Sequence, residues 1–288
     1  MDLATQLALL RAPVPGRGRI VLGGRPVAVP GTFVTSFRDG SPCALPLQVN
    51  ITARRDVPPQ FVVAHTVTGQ PHDPPFVPGF PDATRACNYT RAQASTSREA
   101  SYDFLVSTVG WVLQQLDPWF HYSWNAGTLN GRAFGGIEVE QGPGGAVYGP
   151  SVRAFVALVD TLTLRAPVPL QRQIPAVVRQ GRRVPDRRLL ARFEAPQDGR
   201  DWWGVVGHRN ATIQRGPGDP GDVLLQALLD AGYEGWDVAA GEDLDVWAAR
   251  QRVLGVAPTG IPGPETVAAL RARGRRSGIL VWRPGDPV

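Results

Sequence analysis

Phe61-Val62-Val63-Ala64-His65 is an apolar run that ends on a polar side chain able to bind a metal. Its length and its β-branched content predict a buried strand. A second run, Trp202 to Val206, leads in the same way into Gly207-His208. Between them, Ser101-Tyr102-Asp103-Phe104-Leu105-Val106 alternates like a strand, and Gly135-Gly136-Ile137-Glu138-Val139-Glu140 reads as another. Val152, Phe155, Val156, Val159 and Leu162 recur at helical spacing and predict an amphipathic helix over 151–164. A further helix is expected near 186–194. Asp222 can cap a third helix, which carries Val223, Leu224, Ala227, Leu228 and Ala231. Strands alternating with helices over roughly 180 residues predict an α/β fold, a mixed central sheet flanked by helices.

The flanks read differently. Arg19-Ile20-Val21-Leu22 and Arg25-Pro26-Val27-Ala28-Val29 predict a hairpin about a Gly23-Gly24 turn, within an N-terminal extension over 1–55. The main domain is expected over 56–234, and a small helical module over 235–288. A Pro-rich loop from Pro71 to Pro81 holds His72, which reads as solvated.

The chain has 288 residues, 43% hydrophobic and 19% charged, enough apolar material for a sizeable core and too much for global disorder. The net charge is +5, and all thirty basic residues are arginine. A basic surface attracts polyanions such as nucleic acid, an anionic membrane or a cell wall, and charge alone does not choose among them. With no lysine, a lysine base or Schiff base is excluded. Cys43 and Cys87 lack the spacing of a cysteine-rich zinc site. Met1 to Leu10 has no basic leader and only a short apolar run, and no stretch has membrane-spanning length. This predicts a product made in the cytoplasm that would reach an outside target only by separate release or secretion.

Of the four histidines, His65 and His208 stand at the ends of apolar runs, and Gly218-Asp219-Pro220-Gly221 supplies a carboxylate shortly after the second. Two histidines and one carboxylate leave zinc a fourth position for water. The same residues also read as ordinary polar groups at strand ends, and long-range spacing does not decide between the two.

Six segments in fixed order resemble the type 2 N-acetylmuramoyl-L-alanine amidase family, which includes phage lysozyme-type amidases and peptidoglycan recognition proteins. They are the stretch around His65; Ser101 to Val106 with Gly110; Trp124-Asn125-Ala126-Gly127 with Asn130; Gly136 to Glu140; Val205 to Asn210; and Asp219-Pro220-Gly221. The resemblance covers about residues 56–232. It implies that His65, His208 and Asp219 hold Zn2+, that Tyr102 lies beside the reacting water and that Glu138 acts on its proton. Tyr102 reads otherwise as a core aromatic, and Glu138 as an ion-paired carboxylate. Asn125, Asn130 and Arg215 fall at positions that imply substrate contact. Three departures stand out. Asn125 replaces a family histidine, for which His121 is a possible substitute. Asp103 follows Tyr102 where relatives carry His or Asn, and Pro217 stands where many carry lysine.

Trp247, Arg250-Gln251, Leu254-Gly255, Thr259-Gly260-Ile261-Pro262-Gly263-Pro264-Glu265-Thr266 and Leu270 resemble the type 1 peptidoglycan-binding module. A helical hairpin that only buttresses the main domain is the alternative reading. Together the resemblances imply a zinc hydrolase of endolysin type that cleaves between N-acetylmuramic acid and L-alanine, with bacterial peptidoglycan as partner and neither nucleic acid nor membrane insertion involved. The alternatives are a protein that binds peptidoglycan without cutting it and a wall-docking component of a larger particle.

Overall fold

The computed structural model describes residues 19–40, 44, 46, 52–54, 59–68, 90, 101–142, 145–167, 170–186, 204–211, 219–237, 251–252, 254–257, 265 and 269. His72, Cys43, Cys87, Arg215, Pro217, nearly all of the helix expected near 186–194 and most of the C-terminal module lie outside these residues.

The described elements run β1 (Arg19–Leu22), β2 (Arg25–Ala28), β3 (Phe33–Ser36), β4 (Thr52–Arg54), β5 (Phe61–Thr68), β6 (Phe104–Val106), β7 (Trp111–Gln114), β8 (His121–Ser123), a 3-10 turn (Gly127–Arg132), β9 (Ala133–Gln141), α1 (Gly149–Arg165), β10 (Gln173–Arg179), β11 (Arg182–Pro185), β12 (Gly204–Gly207), α2 (His208–Ala211), α3 (Asp222–Asp230) and β13 (Glu234–Asp237). The central sheet has six strands in the order β12-β5-β9-β6-β7-β3. The first four run parallel; β7 reverses against β6, and β3 runs with β7. This is the mixed sheet with flanking helices that the alternating pattern predicts. A smaller sheet, β11-β10-β13, carries the following chain.

One face of the sheet is closed by α1 and α3. Phe155, Leu158, Val159 and Leu162 of α1 and Leu224, Leu225 and Leu228 of α3 bury themselves against Val62, Ala64, Phe104, Ile137, Val139 and Val205. Truncating one of these leucines to alanine costs about 2–5 kcal/mol. Pro150 in the first turn suits the start of α1, because its fixed φ is already helical and its missing N–H has no partner to lose there. At α3 the N-cap is Gly221 rather than the expected Asp222, which lies in the first turn, where its charge meets the positive end of the helix dipole.

Two boundaries differ from the sequence reading. Residues 33–36, expected in the N-terminal extension, form the sheet's edge strand, and Ile20 and Leu22 of β1 join the main core. The hairpin itself forms about Gly23 and Gly24, at φ 58° and 76°, a geometry that glycine adopts without penalty. The Gly23 and Gly24 N–H groups donate to the two oxygens of the Asp117 carboxylate at 3.1 and 2.8 Å. The Gln114 amide accepts from the Val21 N–H and donates to the Val21 carbonyl. These contacts fasten the hairpin to the domain. At the other end, β13 crosses the expected boundary at 234/235 and pairs in parallel with β10.

Tyr233, between α3 and β13, donates its hydroxyl to Asp160 Oδ1 at 2.8 Å, and the Arg172 guanidinium lies 4.7 Å above its ring. Burial, together with the Asp160 carboxylate, pushes the Tyr233 phenol well above its usual value of 10.0. The folded chain therefore keeps this proton at pH values where the unfolded chain has lost it. The stability this contributes is present below pH 10.0 and is lost as pH rises beyond it. Thermal melts across the alkaline range should show Tyr233→Phe with a flatter alkaline decline than the wild type, and about 1 kcal/mol less stable at neutral pH.

Candidate metal centre

The register of the parallel strands assembles the site. Gly204 to Gly207 pair with Phe61 to Ala64, so His208, the residue after Gly207, comes level with His65. On the other side of β5, His65 pairs directly with Glu138 of β9. Three neighbouring strands thus deliver His208, His65 and Glu138 at one level, toward the carboxyl ends of the parallel strands, where open α/β sheets commonly bind ligands. His65 is not at a strand end as expected: β5 runs on to Thr68 because its ladder with β9 continues through Val67 and Glu140 to Thr68 and Gln141.

Because β12 stops at Gly207, its ladder with β5 stops at Ala64. Asp219 takes up the next position, where its Oδ1 accepts from the Thr66 N–H at 2.8 Å. Its Oδ2 lies 3.1 Å from His208 Nδ1 and 4.0 Å from His65 Nδ1. The two imidazole rings are 4.3 Å apart, and one ligand atom from each of His65, His208 and Asp219 falls within 4.8 Å of the others. The histidines are 2% and 7% exposed. Burial alone would raise the Asp219 carboxyl pKa. The His208 hydrogen bond, the charges of His65 and His208 and the Thr66 N–H outweigh it and hold the carboxyl below its ordinary value.

These residues fit zinc. The donors are two imidazole nitrogens and a carboxylate oxygen. Bonds of about 2.0–2.2 Å in a tetrahedron put ligand atoms roughly 3.4 Å apart, within the observed range of separations. Three protein ligands also leave the fourth position that a catalytic site needs.

A set of contacts that sequence reasoning did not assign holds Asp219 in place. The backbone N–H of Arg209, a residue 2% exposed, donates to the Asp219 carbonyl at 2.7 Å. Its guanidinium donates to the Pro220 carbonyl and pairs with Asp222, both at 2.9 Å. One arginine thus grips the turn at both ends. The Asn210 side chain accepts from the Gly207 N–H and donates to the Asp186 carbonyl, bracing the start of α2. The signal for Arg209 was its place directly after His208, which local pattern does not distinguish from an ordinary surface arginine.

The remaining expected residues divide. Tyr102, 2% exposed, clusters with Leu105, Trp111 and Leu113, and Leu105 is the register neighbour of Glu138 on β6. Asp103 is structural in this arrangement: its carboxylate accepts from the Gly136 N–H, and its own N–H donates to the Gly136 carbonyl at 3.0 Å. Asn125 packs on Gly136 so closely that an added Cβ would collide with the Asn125 side chain, so only glycine fits there. Gly136 lies two residues before Glu138, on the same face of β9. Asn130 Oδ1 accepts from the Asn125 and Ala126 N–H groups at 2.8 and 2.6 Å and braces that loop. His121 is exposed at the start of β8, opposite Arg54, and the ligand cluster among the described residues does not include it.

No protein-family model matches this chain, and no curated protein matches it. Among solved structures it is similar to Drosophila peptidoglycan recognition protein SD, at 16% identity and TM-score 0.44, over 71% of this chain and 96% of that one. It is also similar to a mutant of Drosophila PGRP-LB in complex with tracheal cytotoxin, at 12% identity and TM-score 0.41, over 70% and 96% of the two chains. An endolysin from a Thermus scotoductus bacteriophage aligns at 17% identity and TM-score 0.37, over 70% and 99%. At TM-scores below 0.5 these likenesses decide nothing about the chemistry, which has to be read from the site. Among the described residues no helix is long and apolar enough to cross a membrane.

Proposed function

We propose that this chain is a zinc-dependent amidase of endolysin type that hydrolyses the bond between N-acetylmuramic acid and L-alanine in bacterial peptidoglycan. The observation that carries the reading is the convergence of His65, His208 and Asp219, with Glu138 in register beside His65. The substrate follows from the six family-like segments, whose order along the chain brings these same residues together.

His65, His208 and Asp219 would hold the metal. Zinc bound there supplies an acidified water and polarises the scissile carbonyl. Glu138 takes the proton of the attacking water and returns it to the departing amine of L-alanine. The Tyr102 hydroxyl donates to the oxyanion that develops on the carbonyl. Asp103 and Asn125 keep β6 and β9 in the register that presents Tyr102 and Glu138. The buried walls around Phe61, Val63, Leu105 and Leu113 exclude water and strengthen these interactions.

The test is digestion of purified peptidoglycan with and without a chelator, followed by zinc addition, with products read by mass spectrometry. Stem peptides with a free L-alanine amine, lost on chelation and restored by zinc, are expected. Sacculi that retain the protein but stay intact would replace hydrolysis by recognition alone. Glu138→Gln should lower kcat by about 10²- to 10⁴-fold, with zinc content unchanged.

A further inference from the structure

The β10–β11 hairpin carries a basic groove outside the metal centre. Arg179 and Arg182 stand directly opposite one another across the Gln180-Gly181 turn. Like charges at opposed positions of an antiparallel pair repel. Both side chains are exposed, and among the described residues neither meets a carboxylate; the described ion pairs involve His65, Arg172, His208 and Arg209. The adjacent Arg183 is engaged differently, donating to the Gly235 carbonyl.

With Gln180, Val184 and Gln226, the two arginines line a groove of about 800 Å³. Gln180 sits at φ 49°, a left-handed conformation that side-chain-bearing residues rarely adopt. Gln226 Nε2 donates to Asp230 at 3.0 Å, which leaves the Gln226 carbonyl oxygen as the acceptor offered to a ligand. Two guanidinium forks suit the oxygens of a phosphodiester, which they can grip in bidentate fashion, and an amide carbonyl suits a hydroxyl. Among the described residues the lining contains no aromatic ring, so it offers no platform on which the bases of a single-stranded nucleic acid would stack.

The groove shares its scaffold with the metal centre. Asn210 Nδ2 donates at 3.0 Å to the backbone carbonyl of Asp186, the residue after β11, and Asn210 lies two residues from His208. The helix that carries Gln226 starts three residues after Asp219.

We propose that this groove binds the phosphodiester backbone of an anionic polyol-phosphate polymer of the bacterial wall and so holds the metal centre against its substrate. The wall as the polymer's source rests on the hydrolase reading above; the phosphodiester chemistry does not.

The experiment is calorimetric titration of the full chain with poly(glycerol phosphate) at several salt concentrations. A polycarboxylate and single-stranded DNA serve as comparison polymers. The wild type is expected to bind poly(glycerol phosphate) more tightly than either. Arg179→Gln with Arg182→Gln should weaken binding at least ten-fold and lower the slope of log Kd against log salt by about 1.5. Removing the repelling pair should leave the melting temperature unchanged or raised. Val184→Glu, which adds a negative charge to the groove, should weaken binding without touching either arginine. Absence of wild-type binding, unchanged affinity in the folded double variant, or equal binding of the polycarboxylate or DNA overturns the proposal. Cleavage of a soluble, phosphate-free muropeptide by the double variant is expected at the wild-type rate. Failure of that cleavage in the wild type would count against the hydrolase reading, while the titration still decides the groove.

Discussion

Asp219→Ala is expected to abolish zinc retention and to lower kcat/KM on a muropeptide by at least about 10³-fold, equivalent to about 4 kcal/mol. The side chain has three partners at once: the Thr66 N–H at 2.8 Å, His208 Nδ1 at 3.1 Å and, at 4.0 Å, His65 Nδ1. Alanine removes one of three ligands together with the negative charge that faces both histidines. It also leaves a backbone N–H without its acceptor, a further cost of about 1–3 kcal/mol. Metal analysis after gel filtration separates this from loss of a proton-transfer group, since Glu138→Gln keeps its zinc. A variant that retains full zinc and full turnover would remove Asp219 from the centre altogether.

Arg209→Met is expected to destabilise the fold by about 3 kcal/mol, and so to lower Tm by roughly 6–12 °C. Methionine keeps the length and apolar bulk of the side chain but loses the donor to Pro220 and the partner of Asp222. The Asp222 carboxylate is part-exposed and can rehydrate, so the larger share of the loss falls on the turn itself. Arg209 is a positioning residue: it holds the Asp219 and Pro220 carbonyls and the Asp222 carboxylate, and so fixes the turn that carries the ligand. Zinc affinity should therefore weaken by about 10- to 100-fold, as for other groups that orient a metal ligand. Activity should recover at saturating zinc and low temperature. A merely structural role would leave zinc affinity in the folded fraction unchanged. Calorimetry with zinc titration distinguishes the two.

Much of the fold was legible in local pattern. The Gly23-Gly24 hairpin, the apolar strands before His65 and His208 and the α1 face of Phe155, Val159 and Leu162 follow from turn chemistry and periodicity, which act over a few residues. Where prediction and structure part, a longer-range interaction outweighs a local one. A strand is expected over 101–106, but Ser101, Tyr102 and Asp103 lie outside β6. There the Ser101 N–H donates to the Trp124 carbonyl and Ser101 Oγ accepts from the Trp124 N–H, tying this stretch to the following loop rather than to a ladder. β5 outruns its apolar stretch because β9 offers seven paired positions, down to Gln141. The role of Asp103 as a brace between β6 and β9 depends on the backbone of Gly136, 33 residues away.

The sequence by itself determined the chemical inventory: two histidines after apolar runs, an aspartate in a Pro-Gly turn, a glutamate on a strand, and no lysine. It also determined the elements that carry them, because propensity, turn type and amphipathic period are properties of neighbouring residues. Tertiary structure alone decided that these groups meet. The parallel register of β12, β5 and β9 sets the level of His208, His65 and Glu138, and Asp219 reaches the Thr66 N–H across 153 residues of chain. Only tertiary structure made Arg209 the clamp of that turn and set Arg179 opposite Arg182 across a hairpin, with no carboxylate beside either among the described residues. The physical reason is that a side chain's partners depend on which strand edge and which helix end the folded core brings beside it, and no local window of sequence contains both.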